Sequence, residues 1–198
     1  MSNIIANNCI GGFLYKFSKK QFPNPFIWTS MYFEDFLFLI QNYDKINFDD
    51  YLIEKHEKDK RLFNINIENK ITVRCPHWLF DPAYQNPTLV DKVNIKYCRI
   101  WLYINEKYTS RLKRLQENTE KPVFIMDFKD WLKCDENKLR FLLENYKTIP
   151  YTLFVIVPWK KYDKVIKENI HIIYDENFNK LDIEHRSKIF FDKKMFEV

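Results

Sequence analysis

The residues best suited to covalent chemistry in this chain of 198 are Cys9 and its company, Asn7-Asn8-Cys9-Ile10-Gly11-Gly12. Gly11 and Gly12 are its two glycines, where an average chain of this length would carry roughly fourteen, so bare backbone is needed at this point. Glycine permits positive φ, or lets another backbone or a ligand come close. Ile4-Ile5-Ala6 before the motif reads as a buried strand, and Asn7 and Asn8 read as turn or cap residues. Phe13, Leu14 and Phe17 after it recur at helical spacing. Cys9 is therefore expected where a strand turns into a helix. There its thiol would face free N–H groups and the positive end of the helix dipole, both of which favour a thiolate. The other reading is a small buried hydrophobe, the usual role of a free cysteine.

A nucleophilic thiol needs a partner base that titrates near neutral pH, which points to histidine. The chain has four: His56, His77, His171 and His185. His56 lies in a charged run, His171 begins a late strand and His185 sits in a polar helix or turn. His77 stands in an aromatic loop bounded by Pro76 and Pro87, with Trp78, Phe80 and Tyr84 as a possible pocket wall. Asp81 follows as a candidate orienting carboxylate. A structural histidine, in a loop folded back on the core, is the alternative.

The elements that must position these residues alternate between strand and helix. Phe26–Thr29 reads as a second strand. Phe33, Phe36, Leu37, Ile40 and Tyr43 mark one face of an amphipathic helix whose Glu34 and Asp35 suit its dipole. Asp49-Asp50 caps a short helix running into the charged residues 54–61. Ile71–Cys75 and Val93–Tyr103 read as strands, the latter carrying Lys96, Cys98 and Arg99, with Asn105 capping the helix beyond. That helix bears Lys107, Arg111, Lys113 and Arg114, which suit phosphates or simply an exposed face. Val123–Met126 is a strand ending at Asp127, Asp135 caps the helix Glu136–Tyr146, and Leu153–Val157 is a further strand. Tyr162–Asn169 reads as a short helix and His171–Tyr174 as a last strand, while the tail from Asp182 is mixed. The pattern predicts one α/β domain over residues 1–198, with a mixed central sheet flanked by helices and Asn3–Ala6 as an inner strand.

Composition narrows the class. Apolar residues make up 46% and aromatics 18%, enough for a real core. A net charge of +5 suits a phosphate-bearing small ligand as well as a polyanion. With no basic tail and no aromatic-basic motif, nucleic-acid binding is a poor third choice. Cys9, Cys75, Cys98 and Cys134 are widely spaced, with no C-x-x-C pair to suggest zinc. No apolar run approaches the ~18 residues of a membrane span and no signal peptide is evident, so a cytoplasmic protein with reduced thiols is expected.

Asn7-Asn8-Cys9-Ile10-Gly11-Gly12 with Tyr15 resembles the opening motif of a bacterial exopolysaccharide-biosynthesis-associated family, a domain of unknown function. Pro25-Phe26, Phe33-Glu34-Asp35-Phe36, Pro122–Asp127 and Ile149-Pro150-Tyr151 through Tyr162 resemble its later blocks, so the resemblance spans about Asn3 to Tyr174. It implies a role in building surface polysaccharide, and some relatives resemble acetyltransferases of amino sugars. Many members carry His-x-x-His after the proline loop, where this chain has Lys96-Tyr97-Cys98-Arg99. Either His77 supplies the base, or the chemistry differs, or activity is lost.

The resulting expectation is an acetyl-CoA-dependent acyltransferase with a Cys9 acyl-enzyme, acting on an amine or hydroxyl of a sugar or nucleotide-sugar. The order of a helix-borne cysteine and a downstream histidine resembles papain-like enzymes. Cys9, His77 and Asp81 form the expected catalytic set. Asn8, Gly11, Gly12, Trp78, Lys96 and Arg99 are the expected substrate-binding set, the last two holding phosphates. A non-catalytic carbohydrate or nucleotide-sugar binding module is the alternative.

Overall fold

The computed structural model of the protein describes residues 3–19, 23–55, 63–75, 94–128, 134–145 and 149–196, with the side chains of its longest helix described from Trp101. His77, Trp78 and Asp81 lie outside the described residues, as does His56.

The expected α/β architecture is present, with a mixed sheet at its centre. Strands β1 (Asn3–Ala6), β5 (Pro122–Asp127), β6 (Leu153–Val157) and β8 (Ile170–Tyr174) lie side by side in parallel, and the two-residue β7 (Ile166–Lys167) closes the far edge antiparallel to β8. A second sheet is a meander of β2 (Tyr51–Lys55), β3 (Phe63–Ile67) and β4 (Ile71–Arg74). The helices are α1 (Ile10–Ser18), α2 (Phe33–Asn42), α3 (Asn94–Glu117), α4 (Glu136–Asn145) and α5 (Ile183–Asp192).

Every residue of β1, β5 and β6 is buried, which is why these strands read as apolar runs, broken only by Asn3 at the start of β1 and Asp127 at the end of β5. Side chains alternate between the two faces of a strand. Gly11 of α1 lies against Ile4 and Ala6, so α1 covers that face of β1. On β5, Phe124, the register partner of Ile5, meets Phe36 of α2 with ring centroids 5.9 Å apart. Helix α5 packs on α1, with Phe17 and Phe191 at 6.0 Å and Lys16 paired to Glu184 at 2.7 Å.

β1 is an edge strand rather than an inner one. The sequence suggests the interior because β1 is wholly apolar after Asn3, but burial here comes from side chains covering the edge. The Ile4 N–H donates to the Tyr15 hydroxyl at 2.9 Å, and the Asn24 amide donates to the Ile4 carbonyl at 2.9 Å. The exposed ladder that invites edge-to-edge association is thereby closed.

Four local expectations are corrected. Of the strand expected over Val93–Tyr103, Asn94–Tyr103 is helix: α3 begins at Asn94, and Asn105 lies inside it. Its aromatic and β-branched residues suggest a strand, yet the apolar positions Ile104, Tyr108, Leu112 and Leu115 continue at helical spacing and face the core. Tyr51–Lys55, expected as helix, is β2, because its register partner β3 supplies the pairing. Residues 25–28 form a turn, with a single bridge from Ser30 to Arg74 in place of the expected strand. Tyr162–Asn169 is not a helix: Tyr162 ends a 3-10 turn that starts at Lys160, and β7 follows.

Candidate functional site

The four parallel strands run the same way, so their carboxyl ends share one edge of the sheet, which is where open α/β sheets hold ligands. There β1 is followed by Asn7-Asn8-Cys9, β5 ends in Asp127, β6 is followed by Pro158 and β8 by Asp175.

Asn7 clasps the end of β5 from both sides. Its amide nitrogen donates to the Asp127 carbonyl at 3.1 Å, and its amide oxygen accepts the Asp127 N–H at 2.8 Å. The Asn7 carbonyl accepts the Met31 N–H at 2.9 Å, and Ser30 bridges to Arg74, so the end of β4 is tied to the same corner. Asn8 donates to the Asp127 carboxylate at 2.8 Å and accepts the Ile10 N–H at 3.0 Å. These bonds leave both asparagines fully buried and satisfied.

Arg186, wholly buried on α5, completes the cluster. Its guanidinium makes two 3.1 Å bonds to Asp127, a third of 2.5 Å to Asp175, and lies 4.5 Å over the Phe178 ring. Burial opposes its charge, but the Asp127 and Asp175 carboxylates outweigh burial and hold its pKa above the ordinary arginine range. Sequence reading passed over Arg186. The signal available was Asp182 as a cap, followed by Ile183, Arg186 and Phe190 at helical spacing, and the Asp182 side chain does accept the His185 N–H at 2.9 Å.

Cys9 sits where it was expected, as the residue before α1. Its environment is not the expected one. The residue is 6% exposed, and burial pushes its thiol up to about 12, away from a thiolate. The Ile10 N–H, a candidate oxyanion donor, is already bonded to Asn8. The helix start therefore serves the backbone of its own turn.

The glycines also have a packing role. Neither has positive φ, so conformational freedom is not the reason for them. A side-chain carbon on Gly12 would come within 2.5 Å of the Trp28 ring, and one on Gly11 would meet the Ala6 methyl at 3.3 Å. The close approach beside Cys9 is made by the chain's own Trp28 rather than by open space for a substrate.

Lys96 and Arg99 lie on the first turns of α3, not on a strand of the sheet. Farther along that helix, Arg111 is buried and donates to the Ile27 carbonyl at 2.7 Å, so this basic residue anchors the turn that carries Trp28. His171 lies against Phe154, with ring centroids 5.1 Å apart, and His185 is an exposed partner of Asp182 at 2.9 Å. The counterpart histidine of a papain-like arrangement is thus not found beside Cys9 among the described residues.

Two cavities lie away from this corner. One of about 440 Å³, at the opposite edge of the sheet, is lined by Lys121, Pro150, Tyr151 and Asn169 among others. The other, about 390 Å³, lies between α2 and α4. Among the described residues, no group of three histidine, cysteine, aspartate or glutamate side chains could hold a metal, and no helix is long and apolar enough to cross a membrane. No family model matches the chain, and no curated protein matches it either.

Proposed function

We propose that the protein is an acyltransferase of surface-polysaccharide biosynthesis working in the cytoplasm through Cys9. The acyl donor is a thioester, acetyl-CoA, and the acceptor is an amine or hydroxyl of a sugar or nucleotide-sugar. The observation that carries this reading is the position of Cys9, at the head of α1 and on the carboxyl edge of the parallel strands.

Burial adds a condition the sequence did not suggest. The thiol is protonated at rest, so its proton must leave as the sulfur attacks the thioester carbonyl. His77 is the proposed acceptor of that proton, with Asp81 orienting it. The carbon–sulfur bond to CoA then breaks, and CoA leaves as a thiol with the proton returned from His77. The sugar amine or hydroxyl then attacks the acyl carbon and gives its proton to His77; the carbon–sulfur bond to Cys9 breaks, and His77 returns the proton to the leaving Cys9 sulfur. Lys96 and Arg99 are assigned to phosphates of the donor or of a nucleotide-linked acceptor, and Trp78 to stacking on the sugar.

Intact mass after incubation with acetyl-CoA tests this directly. One acetyl group mapped to Cys9, and lost in Cys9→Ala, is the expected result. A non-catalytic carbohydrate or nucleotide-sugar binding module is the second reading, and the raised pKa of a packed Cys9 thiol favours it. That reading expects no acyl-enzyme, and sugar binding that survives Cys9→Ala.

A further inference from the structure

The buried cluster at the carboxyl edge has a direction. Arg186 belongs to α5, the last helix, whereas Asn8 and Cys9 belong to the first turn of the chain. Between them the bonds run without a gap: guanidinium to Asp127 carboxylate, carboxylate to Asn8 amide nitrogen, and Asn8 amide oxygen to the Ile10 N–H. Each link selects the next. The guanidinium fork fixes the plane of the carboxylate, because both of its oxygens are engaged at 3.1 Å. The carboxylate accepts only donors, so it fixes which end of the Asn8 amide faces it. That choice leaves the amide oxygen to hold Ile10, the residue after Cys9. Asp175 fixes the guanidinium from the other side at 2.5 Å, and its second oxygen accepts the Asn177 N–H at 2.9 Å. From Arg186 to Asn8 the links are closed to solvent that could replace a lost one: Arg186 and Asp127 are 0% exposed and Asn8 1%.

We propose that Arg186 is the positioning residue of the Cys9 corner, setting the first turn of α1 from the C-terminal helix through Asp127 and Asn8. As an account of why the chain keeps this tether, it rests on the reading that Cys9 carries the chemistry. The tether itself is tested without any acyl donor.

The experiment is site-mapped alkylation with iodoacetamide on the full chain, following Cys9 beside Cys75. Cys75, 0% exposed against 6% for Cys9, follows β4; β4 meets this corner through Ser30 and Asn7 rather than through Arg186, Asp127 and Asn8, and the Cys75 N–H is bonded to Phe63, so Cys75 serves as the internal control. Arg186→Met removes the head of the relay, and Asn8→Ala removes its last link while leaving the Arg186 ion pairs in place. Both are expected to raise Cys9 labelling about tenfold or more through local opening, with Cys75 still protected. Arg186→Lys, which keeps the charge and one donor direction, is expected to fall between wild type and Arg186→Met. If Arg186→Met unfolds the chain, seen as a parallel rise at Cys75, Asn8→Ala decides. Wild-type labelling of Cys9 in Asn8→Ala would overturn the proposal, as would Cys9 and Cys75 rising together in both variants. Failure to form an acyl-enzyme with acetyl-CoA would count against the acyltransferase reading and leave this result unchanged.

Discussion

The indole of Trp28 occupies the space that a side chain on Gly12 would need: a carbon placed there would lie 2.5 Å from the ring. Trp28 is itself held at φ 62 and meets Phe13 edge-on at 4.7 Å, so it is pinned from its backbone and from its ring. From the sequence, Gly12→Val is expected to abolish activity with overall stability surviving. The packing predicts otherwise. Gly12→Ala should cost about 1–3 kcal/mol through overpacking, although alanine is ordinarily the better helix former. Gly11→Ala, facing a methyl at 3.3 Å, should cost less. Urea unfolding of both variants checks the order, and a Gly12→Ala variant as stable as wild type would remove the packing explanation.

Cys9 should be a slow thiol. With its pKa pushed up to about 12 by burial, against 9.0 for an unperturbed thiol, its thiolate fraction near pH 8 is lower. Alkylation at about pH 8 is expected to be on the order of a thousandfold slower than for a free cysteine. Mapped labelling with iodoacetamide measures it. A rate like that of free cysteine would contradict the burial of the thiol, and a faster one would show the thiolate expected from the helix start.

Stability should fall on the alkaline side. Cys9 and Cys134 are both pushed up to about 12 by burial, against 9.0 for the unfolded chain. The folded state holds these protons more tightly than the unfolded state does. The associated stability is therefore whole below about pH 9 and is lost as the pH rises toward 12. Thermal melts between those limits should show a falling Tm, and Cys134→Ala should flatten the slope. A Tm independent of pH across that window would contradict the burial of these thiols.

The Arg186–Asp127 pair should matter to folding far more than any surface pair. Asp127→Ala leaves a buried guanidinium with one carboxylate fewer and an Asn8 donor unmet, and is expected to cost about 3–5 kcal/mol. Lys16–Glu184, with both side chains about half exposed, should be worth under about 1 kcal/mol. Adding Arg186→Met to Asp127→Ala should cost less than the sum of the two. Strict additivity in denaturant melts would mean that the pair is not coupled.

Much of the chain was legible where a local pattern met no rival. β1, α2, β4, β5, α4, β6 and β8 were all expected within a residue or two, because short apolar runs and helical spacing repeat the environment of a single element. The strand-to-helix corner at Cys9 was legible for the same reason, as was Asp135 capping α4, where its side chain accepts the Lys138 N–H at 2.9 Å.

What the sequence could not show was which partner each segment would find. Val93–Tyr103 has the composition of a strand, yet from Asn94 it is the start of a helix, and Tyr51–Lys55 becomes a strand because β3 pairs with it. The two glycines announced a close approach, but only the tertiary structure identified Trp28 as what approaches. The thiol of Cys9 sits at the helix start that the residues predict, and its ionisation is set instead by burial, which no local pattern reports. Arg186 shows the limit most plainly. It is one basic residue in a mixed tail, 59 positions from Asp127, and it becomes the centre of a dry ion cluster because α5 packs on α1 beside the strand ends. Local sequence determines which elements form, since their periodicity is written over neighbouring residues. Burial, pairing and charge at a site are sums over distant residues, and only the packed structure fixes them.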